Sequence, residues 1–505
     1  MHEQFLIGLD AGTSSLKGIL ANSSGQVIAT AVREYILESK DNHCELDPSV
    51  YWDSAVCVIR ELISSDEDAG RNIIAIAIAS QGETLICLDE RGHPFRKAIV
   101  WLDNRSLKEA EQIASDIGVE KFFSVTGQPE VVPLLPATRI LWLRKNEPVT
   151  FRKTYKYLLV EDYLLYMLTG KFVTDPAVSS STAYLDIKNK VWWKDILDYL
   201  QIRADQLPEI LPSGTSVGSI LPEAAEKTGL PQSTIAVSGA YDHVAGAIGA
   251  GNFREGMISL TIGTSMAMVV TLEQPVLDFS MHLPCQCHAL TGTYFLQPYG
   301  QTAGMVLRWF RDEFCREEKL TTKKTGDDVY DLMTSLAVSV PAGSGGLVML
   351  PHLAGAGSPE YNFTARGVFE GISLEMGKPH FIRAIMESVA FLIRKNLEFI
   401  ASKGIRFKEI RALGGGTRSL LWNQVVADVT GIPLKTLVAA EAPAIGAAIL
   451  AGTGAAIFKN LEEGIKNMVK VKNDFTPRPE NKSAYDEAFN NYLRLYNHLE
   501  NYWKK

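Results

Sequence analysis

Two near-copies of one turn, set half a chain apart, constrain this sequence more than any other feature. Residues 5–20 read FLIGLDAGTSSLKGIL and residues 256–270 read GMISLTIGTSMAMVV. Each is an apolar run that reaches Gly-Thr-Ser and is followed by a second apolar run. The triplets start at Gly12 and Gly263, in a chain of 505 residues. Two halves of equal length that open on the same turn point to a duplicated domain with a cleft between the copies. The copies differ at one position: Asp10 precedes the first triplet by two residues, where the second has Thr261. A carboxylate in one copy alone is what a single metal–nucleotide site requires.

The chain is long enough for two to four domains. A hydrophobic content of 46% and a charged content of 21% are those of an ordinary globular protein. The net charge of −8 argues against nucleic acid or an anionic membrane as partner. No long charge-free apolar run predicts a membrane span, and no basic leader precedes the first strand. Six cysteines without framework spacing fit a reducing, cytoplasmic setting.

The opening predicts three strands, Phe5–Leu9, Leu16–Ala21 and Val27–Ala31, joined by turn-rich breaks into an antiparallel meander. Tyr51–Ile63 has helical spacing, Ile73–Ile78 reads as a buried strand, and Leu158–Leu168 reads as a helix stopped by Gly170. Lys188–Pro231 reads as loop-rich. Ile235–Val237 leads into Gly239-Ala-Tyr-Asp-His and a small-residue run, Val244–Gly251. Further strands and helices are expected at Gly346–Leu350, Pro379–Lys403 and Ser419–Thr430, with a closing helix over Tyr485–Leu499. The boundary is placed near Gly251–Gly256, giving domains at 1–251 and 252–505.

Four sites carry candidate chemistry. In Asp10-Ala-Gly12-Thr13-Ser14-Ser, with Lys17, successive amides and hydroxyls can hold phosphate oxygens, and Asp10 offers a hard oxygen to Mg²⁺. Taken singly, this is also a polar hairpin turn. No P-loop pattern occurs. Gly414-Gly415-Gly416-Thr-Arg-Ser419 follows a short strand and opens a helix, a place suited to a nucleotide, though many such turns bind nothing. Asp242 stands at the end of a strand as a candidate general base, or alternatively as a helix N-cap. Ser80-Gln81-Gly82-Glu83-Thr84, and Trp101-Leu-Asp103-Asn-Arg105 after the next strand, offer paired donors and acceptors for a polyol, or ordinary loop polarity. His282, Cys285, Cys287 and His288 lack standard zinc spacing and read as buried cysteines with structural histidines.

Together these residues resemble the FGGY carbohydrate kinase family nearly end to end. The resemblance rests on Gly8-Leu-Asp10-Ala-Gly-Thr-Ser, Trp101-Leu-Asp103-Asn-Arg105, Gly239-Ala-Tyr241-Asp242, Gly263-Thr264-Ser265, and Gly414-Gly-Gly-Thr-Arg-Ser before Trp422-Asn423. Gly367–Ile372, with His380-Phe381 and Ala384–Glu387, is similar to a family signature. A second signature departs from the pattern, since Arg139 stands where the family usually has Lys.

The resemblance implies an α/β chain of two actin-like (ribonuclease H-like) domains with ATP in the cleft. It assigns Gly12, Thr13, Ser14, Lys17, Gly263, Thr264, Ser265, Gly304, Gly414, Gly415, Gly416, Ser419 and Asn423 to the nucleotide, and Asp10 to Mg²⁺. Gln81, Gly82, Glu83, Thr84, Asp103, Arg105, Tyr241 and Asp242 fall to the acceptor, with Asp242 as catalytic base. The expected partners are ATP and a small sugar or polyol, not nucleic acid or membrane; a homodimer is left open. Gly82 stands where glycerol kinases carry Arg, which implies an acceptor larger than glycerol. Cys287-His-Ala-Leu resembles xylulose kinases and favours a ketopentose such as xylulose. Gluconate, glycerol or another polyol is the alternative acceptor; an actin-like ATPase or sugar sensor is the alternative of another class.

Overall fold

The computed structural model describes residues 3–503. The chain forms two compact units. One comprises the chain up to Phe253 together with Thr271–Leu296 and Glu441–Lys470. The other comprises Arg254–Val270, Gln297–Ala440 and the chain from Val471 onward.

The first unit is built on six strands: β1 (Phe5–Ala11), β2 (Ser15–Asn22), β3 (Val27–Glu34), β4 (Ile73–Ser80), β5 (Ser216–Ser219) and β6 (Ile235–Tyr241). Their order is β3-β2-β1-β4-β6-β5. The β1–β2 and β2–β3 pairs are antiparallel, β1–β4 and β4–β6 are parallel, and β5 closes the edge antiparallel to β6. The second unit repeats the plan with β7 (Met257–Ile262), β8 (Met266–Leu272), β9 (Glu409–Leu413), β10 (Leu434–Leu437) and β11 (Val471–Phe475). There β7–β8 is an antiparallel hairpin, β7–β9 and β9–β10 are parallel, and β11 is the antiparallel edge. A hairpin, two parallel partners and an antiparallel edge in both units are the duplicated actin-like architecture that the paired turns imply.

The duplicated turns are not identical. The first hairpin closes between Ala11 and Leu16, the second between Ile262 and Met266, so the first turn is one residue longer. Opposite Asp10 stands Lys17; opposite Thr261 stands Ala267. The second copy therefore lacks both the carboxylate and its cross-strand cation.

Alternation along β1 decides what each face meets. Phe5, Ile7 and Leu9 join the core on which the helix Pro48–Ser65 buries Tyr51, Trp52, Val58 and Leu62. The opposite face carries Leu6, Gly8 and Asp10. The helix Ala442–Gly454 lies there so closely that a Cβ on Gly8 would come within 1.9 Å of the Ala444 carbonyl oxygen. The same helix crosses Asp242–Ala250 through reciprocal glycines. A Cβ on Gly446 would be 1.9 Å from the Ala245 oxygen, and one on Gly249 would be 1.9 Å from that of Ala442. The small-residue run Val244–Gly251 is thus a packing surface.

Several local expectations shift. Leu158 ends a short strand, Lys156–Leu158, paired with Ile86–Leu88, and the helix starts at Val160, with Gly170 left-handed just after its end. The stretch expected to be loop contains the helices Lys194–Leu200 and Pro222–Thr228 besides β5. Prolines there mark a helix N-terminus at Pro222 as well as turns. Among the described residues no helix is long and apolar enough to cross a membrane.

Gly446→Ala is expected to force the two helices apart, because the obstacle is backbone rather than a side chain that can rotate. The cost should be about 1–3 kcal/mol, the usual range for overpacking, read as a lower urea midpoint at unchanged slope.

Candidate active site

The parallel strands of the first unit end in register. Asp10 lies level with Ala79 on β4, and Ala79 with Ala240 on β6; one residue on, Ala11, Ser80 and Tyr241 form the next row. Gln81 and Asp242 follow immediately past the strand ends, so three separate motifs converge on one edge of the sheet. Strand termini in open α/β sheets are where ligands are met.

Asp242 is the first residue of its helix; Tyr241, not Asp242, is the capping residue. The Asp242 Oδ1 accepts the His243 N–H at 2.6 Å. Burial raises the Asp242 carboxyl above the ordinary aspartate range, with His243 opposing the shift. Asp10 is raised to about 7, first by burial and then by Asp242 and Glu441, against Lys17. Lys17 itself is paired with Glu441 at 3.1 Å. Glu83 is also raised to about 7, by burial and by Asp242, with Arg139 opposing. Asp10, Glu83, Asp242 and Glu441 thus outnumber Lys17 and Arg139.

The acceptor loops are fixed by one buried cation. The Arg139 guanidinium donates to the carbonyls of Glu83 (2.6 Å), Ile99 (3.3 Å), Trp101 (2.8 Å) and Asp103 (3.3 Å). A planar fork spans four carbonyls where the point charge of Lys cannot, which accounts for the departure from the family pattern at this position. Gln81 donates to the Tyr51 hydroxyl at 3.1 Å, while its buried Oε1 has no partner among the described residues. The Thr84 hydroxyl oxygen accepts the Trp101 N–H at 3.3 Å. A Cβ on Gly82 would sit 2.5 Å from the Ser181 hydroxyl and 3.1 Å from the Tyr241 ring. Glycine there reflects close packing, so a larger residue would displace both neighbours before filling any pocket.

Asp103 and Arg105 are placed differently from the other acceptor candidates. Asp103 accepts from Nε and Nη2 of Arg105 (2.9 and 2.7 Å), from the Arg105 N–H and from the Cys44 N–H. Arg105 also bonds Glu45 at 2.7 Å and lies over the Trp142 ring. With side-chain exposures of 0% and 3%, the pair braces the loop and leaves Asp103 no free lone pair for an acceptor.

In the first turn, the Gly12 N–H bonds the Ser15 oxygen at 3.0 Å, and the amides of Thr13 and Ser14 make no backbone hydrogen bond among the described residues. Consecutive free amides form an anion-binding nest. The Thr13 hydroxyl accepts the Trp101 indole N–H at 2.9 Å, tying the first Gly-Thr-Ser turn to the 101–105 loop. In the second turn the Gly263 N–H bonds the Ser265 oxygen at 3.0 Å. The start of the helix Gly304–Phe314 docks on that turn through Gly304 N–H to Gly263 O, 2.7 Å.

The second unit holds a cavity of about 250 Å³ lined by Gly263, Thr264, Gly304, Gly415, Gly416 and Ser419. Ser265, Gly414 and Asn423 are not on its wall. Gly414 is left-handed (φ 80°) and packs on Ile262. Asn423 lies behind the glycine loop and donates to the Thr417 carbonyl at 2.9 Å. The far wall comes from Asp328, Tyr330, Asp331 and Thr334, with Arg308 and Trp422. Sequence reasoning missed that wall, although Asp328 followed by helical spacing is a readable N-cap, and it does cap Val329–Ala337.

Among the described residues no group of three His, Cys, Asp or Glu has metal-binding geometry. Cys285 and Cys287 lie on a buried strand whose amides bond Gly127 O and Ser180 Oγ. For Mg²⁺, Asp10 fits as a hard carboxylate oxygen whose charge is only partly balanced.

Comparison with known proteins shows the family. Residues 5–249 match the model of the FGGY family of carbohydrate kinases, N-terminal domain, and residues 258–455 match the C-terminal domain of the same family. The chain is 30% identical over 502 residues to an autoinducer-2 kinase of Klebsiella pneumoniae, covering 97% of this chain and 93% of the relative. It is 29% identical to a xylulose kinase of Bacillus subtilis, covering 98% and 97%. A crystal structure of a gluconate kinase from Lactobacillus acidophilus superposes with a TM-score of 0.88 at 27% identity, over 98% of both chains.

A Cβ on Gly415 would meet nothing within 4 Å, whereas one on Gly416 would strike Ile262 at 2.8 Å. Gly415→Val should therefore weaken binding of a non-hydrolysable ATP analogue about tenfold or more by calorimetry, with acceptor binding and the unfolding midpoint unchanged. Gly416→Val should lower the unfolding midpoint as well.

Proposed function

Given that this chain belongs to the FGGY family of carbohydrate kinases and is itself a carbohydrate kinase, we propose that it transfers the terminal phosphoryl group of ATP to a hydroxyl of a neutral polyhydroxy acceptor, a ketopentose of the xylulose kind first. The observation that carries this reading is the unbalanced carboxylate group of Asp10, Glu83 and Asp242 at the strand ends, with Gln81 Oε1 unpartnered beside them.

Asp242 is the base. Its burial raises its proton affinity, so it holds the proton of the acceptor hydroxyl while the oxygen–phosphorus bond forms and the bond to ADP breaks. Glu83 and Gln81 orient the acceptor through its other hydroxyls, and a site built to bond hydroxyls rejects analogues that lack them. In the second unit the cavity around Gly415 takes the nucleotide, and in the first the free amides of Thr13 and Ser14 suit an anion. Asp10 would hold Mg²⁺, which when bound supplies charge neutralisation for the phosphate oxygens.

The same surplus of carboxylates argues against an acceptor that brings its own negative charge, although a gluconate kinase is among the similar structures. Each added anion here meets acids already pushed toward neutrality by burial, and at Asp10 and Glu83 by Asp242 as well. A coupled ADP assay over xylulose, other pentuloses, glycerol, gluconate and autoinducer-2 tests the reading. Turnover should be highest on a neutral pentulose; a clear preference for gluconate would overturn it.

Asp242→Asn should fold normally and lose about 10²–10⁴-fold in kcat, the usual range for a general base, with the KM for ATP nearly unchanged. Because the base must be ionised, the wild-type rate should fall as pH drops through its raised pKa, at a pH above the ordinary aspartate range. Wild-type turnover in the Asn variant would remove the assignment.

A further inference from the structure

The strand that delivers Asp242 is not regular. Val237 on β6 pairs with Ala77 on β4, and the next pair is Ala240 with Ala79. Ser238 and Gly239 therefore stand together opposite Ile78, which is a β-bulge. Only glycine fits there, since a Cβ on Gly239 would come within 1.7 Å of the Ile78 oxygen. The bulge sets the register of everything after it. Without the extra residue, Asp242 would fall one position out of step and its side chain would turn to the other face.

A bulge frees backbone groups, and here the freed Gly239 N–H is taken by a side chain from another element. Glu161, fully buried on the helix Val160–Thr169, accepts it through Oε1 at 2.8 Å. The other oxygen, Oε2, is buried without an N–H or hydroxyl donor among the described residues, and so is Oδ2 of the fully buried Asp175. Burial, Asp175 and Asp162 hold the Glu161 carboxyl well above the ordinary glutamate range, because full charges side by side in the interior are disfavoured. Asp175 Oδ1 already accepts from the N–H groups of Ala177 (2.7 Å) and Val178 (3.3 Å) and from the Ser213 hydroxyl (2.8 Å). Three donors favour the ionised form, so of the two it is Glu161 that holds a proton. The next acid, Asp162, spends Oδ2 on the Leu159 N–H at 2.8 Å and adds to the charge that raises Glu161.

We propose that Glu161 is a positioning residue for Asp242: through Oε1 it clamps the Gly239 N–H of the bulge that aims the base. The proposal rests on the reading of Asp242 as base, and the test separates the two. Glu161 and Asp175 are both fully buried, and Glu161 acts through the backbone of β6.

The experiment compares Glu161→Gln, Glu161→Ala, Asp242→Asn and the Glu161→Ala/Asp242→Asn double variant by steady-state kinetics on the best acceptor. Gln keeps the clamp without a titrating proton, since its carbonyl can accept from Gly239 where Oε1 does. Glu161→Gln should stay within about threefold of wild-type kcat. Glu161→Ala should lose about tenfold or more in kcat with the KM for ATP within about twofold. In the double variant the Ala substitution should cost nothing beyond Asp242→Asn alone, the behaviour of groups that act as a unit. Wild-type kcat in Glu161→Ala, a loss in Glu161→Gln as deep as in Ala, or additive losses in the double variant would each overturn the proposal. Should Glu161→Ala fail to fold, Glu161→Met takes its place, because it fills the space without an acceptor for the Gly239 N–H: a loss of about tenfold or more in kcat beside a near-wild-type Glu161→Gln supports the clamp, and wild-type kcat overturns it. An Asp242→Asn variant with wild-type turnover would instead sink the reading of the base.

Discussion

The close crossing of two small-residue helices underlies the active-site half of the molecule. Helix 242–250 and helix 442–454 come from corresponding places in the two copies, each following a parallel strand. They meet glycine to carbonyl, with no side chain between them. Helix 442–454 also rests on Gly8 of the first strand, two residues before Asp10. The backbone distances set there determine where Asp10 and Asp242 stand and bring Glu441 to Lys17. Helices that close gain dispersion along their whole contact, and they leave no slack by which the carboxylates could drift. The electrostatics depend on this packing, because burial is the leading cause of the shift at Asp10, Glu83 and Asp242.

Much of this was legible in the sequence, and the reasons are local. The Gly-Thr-Ser turns sit between apolar runs whose alternation can only be strands, so the hairpins and the duplication are visible directly. The long helix was readable because its period persists: Pro379–Lys403 was expected and Lys378–Ala401 is found. Asp10, Gln81 and Asp242 were recognisable as strand-end residues, and the parallel register brings them to one edge.

What stayed hidden depends on contacts far apart in sequence. Asp103 and Arg105 look like binding residues in a motif, yet they consume each other's polar groups, and only coordinates reveal a saturated carboxylate. Asn423 was expected on the nucleotide wall and instead supports the glycine loop from behind. Gly82 suggested vacant space, but the space is occupied by Ser181 and Tyr241. The bulge at Ser238–Gly239 leaves no trace in apolar periodicity, since the residues around it are small.

Arg139 has a consequence for how such a chain changes its diet over generations. One guanidinium holds the main chain of two loops, through the carbonyls of Glu83, Ile99, Trp101 and Asp103. Because the attachment is to backbone, the side chains on those loops are released from any structural duty toward it. Substitutions among them can accumulate without collapsing the scaffold, so new acceptors can be tried one residue at a time. Arg139 itself has the opposite burden: in this chain its loss would release both loops at once, so the freedom of its neighbours depends on it.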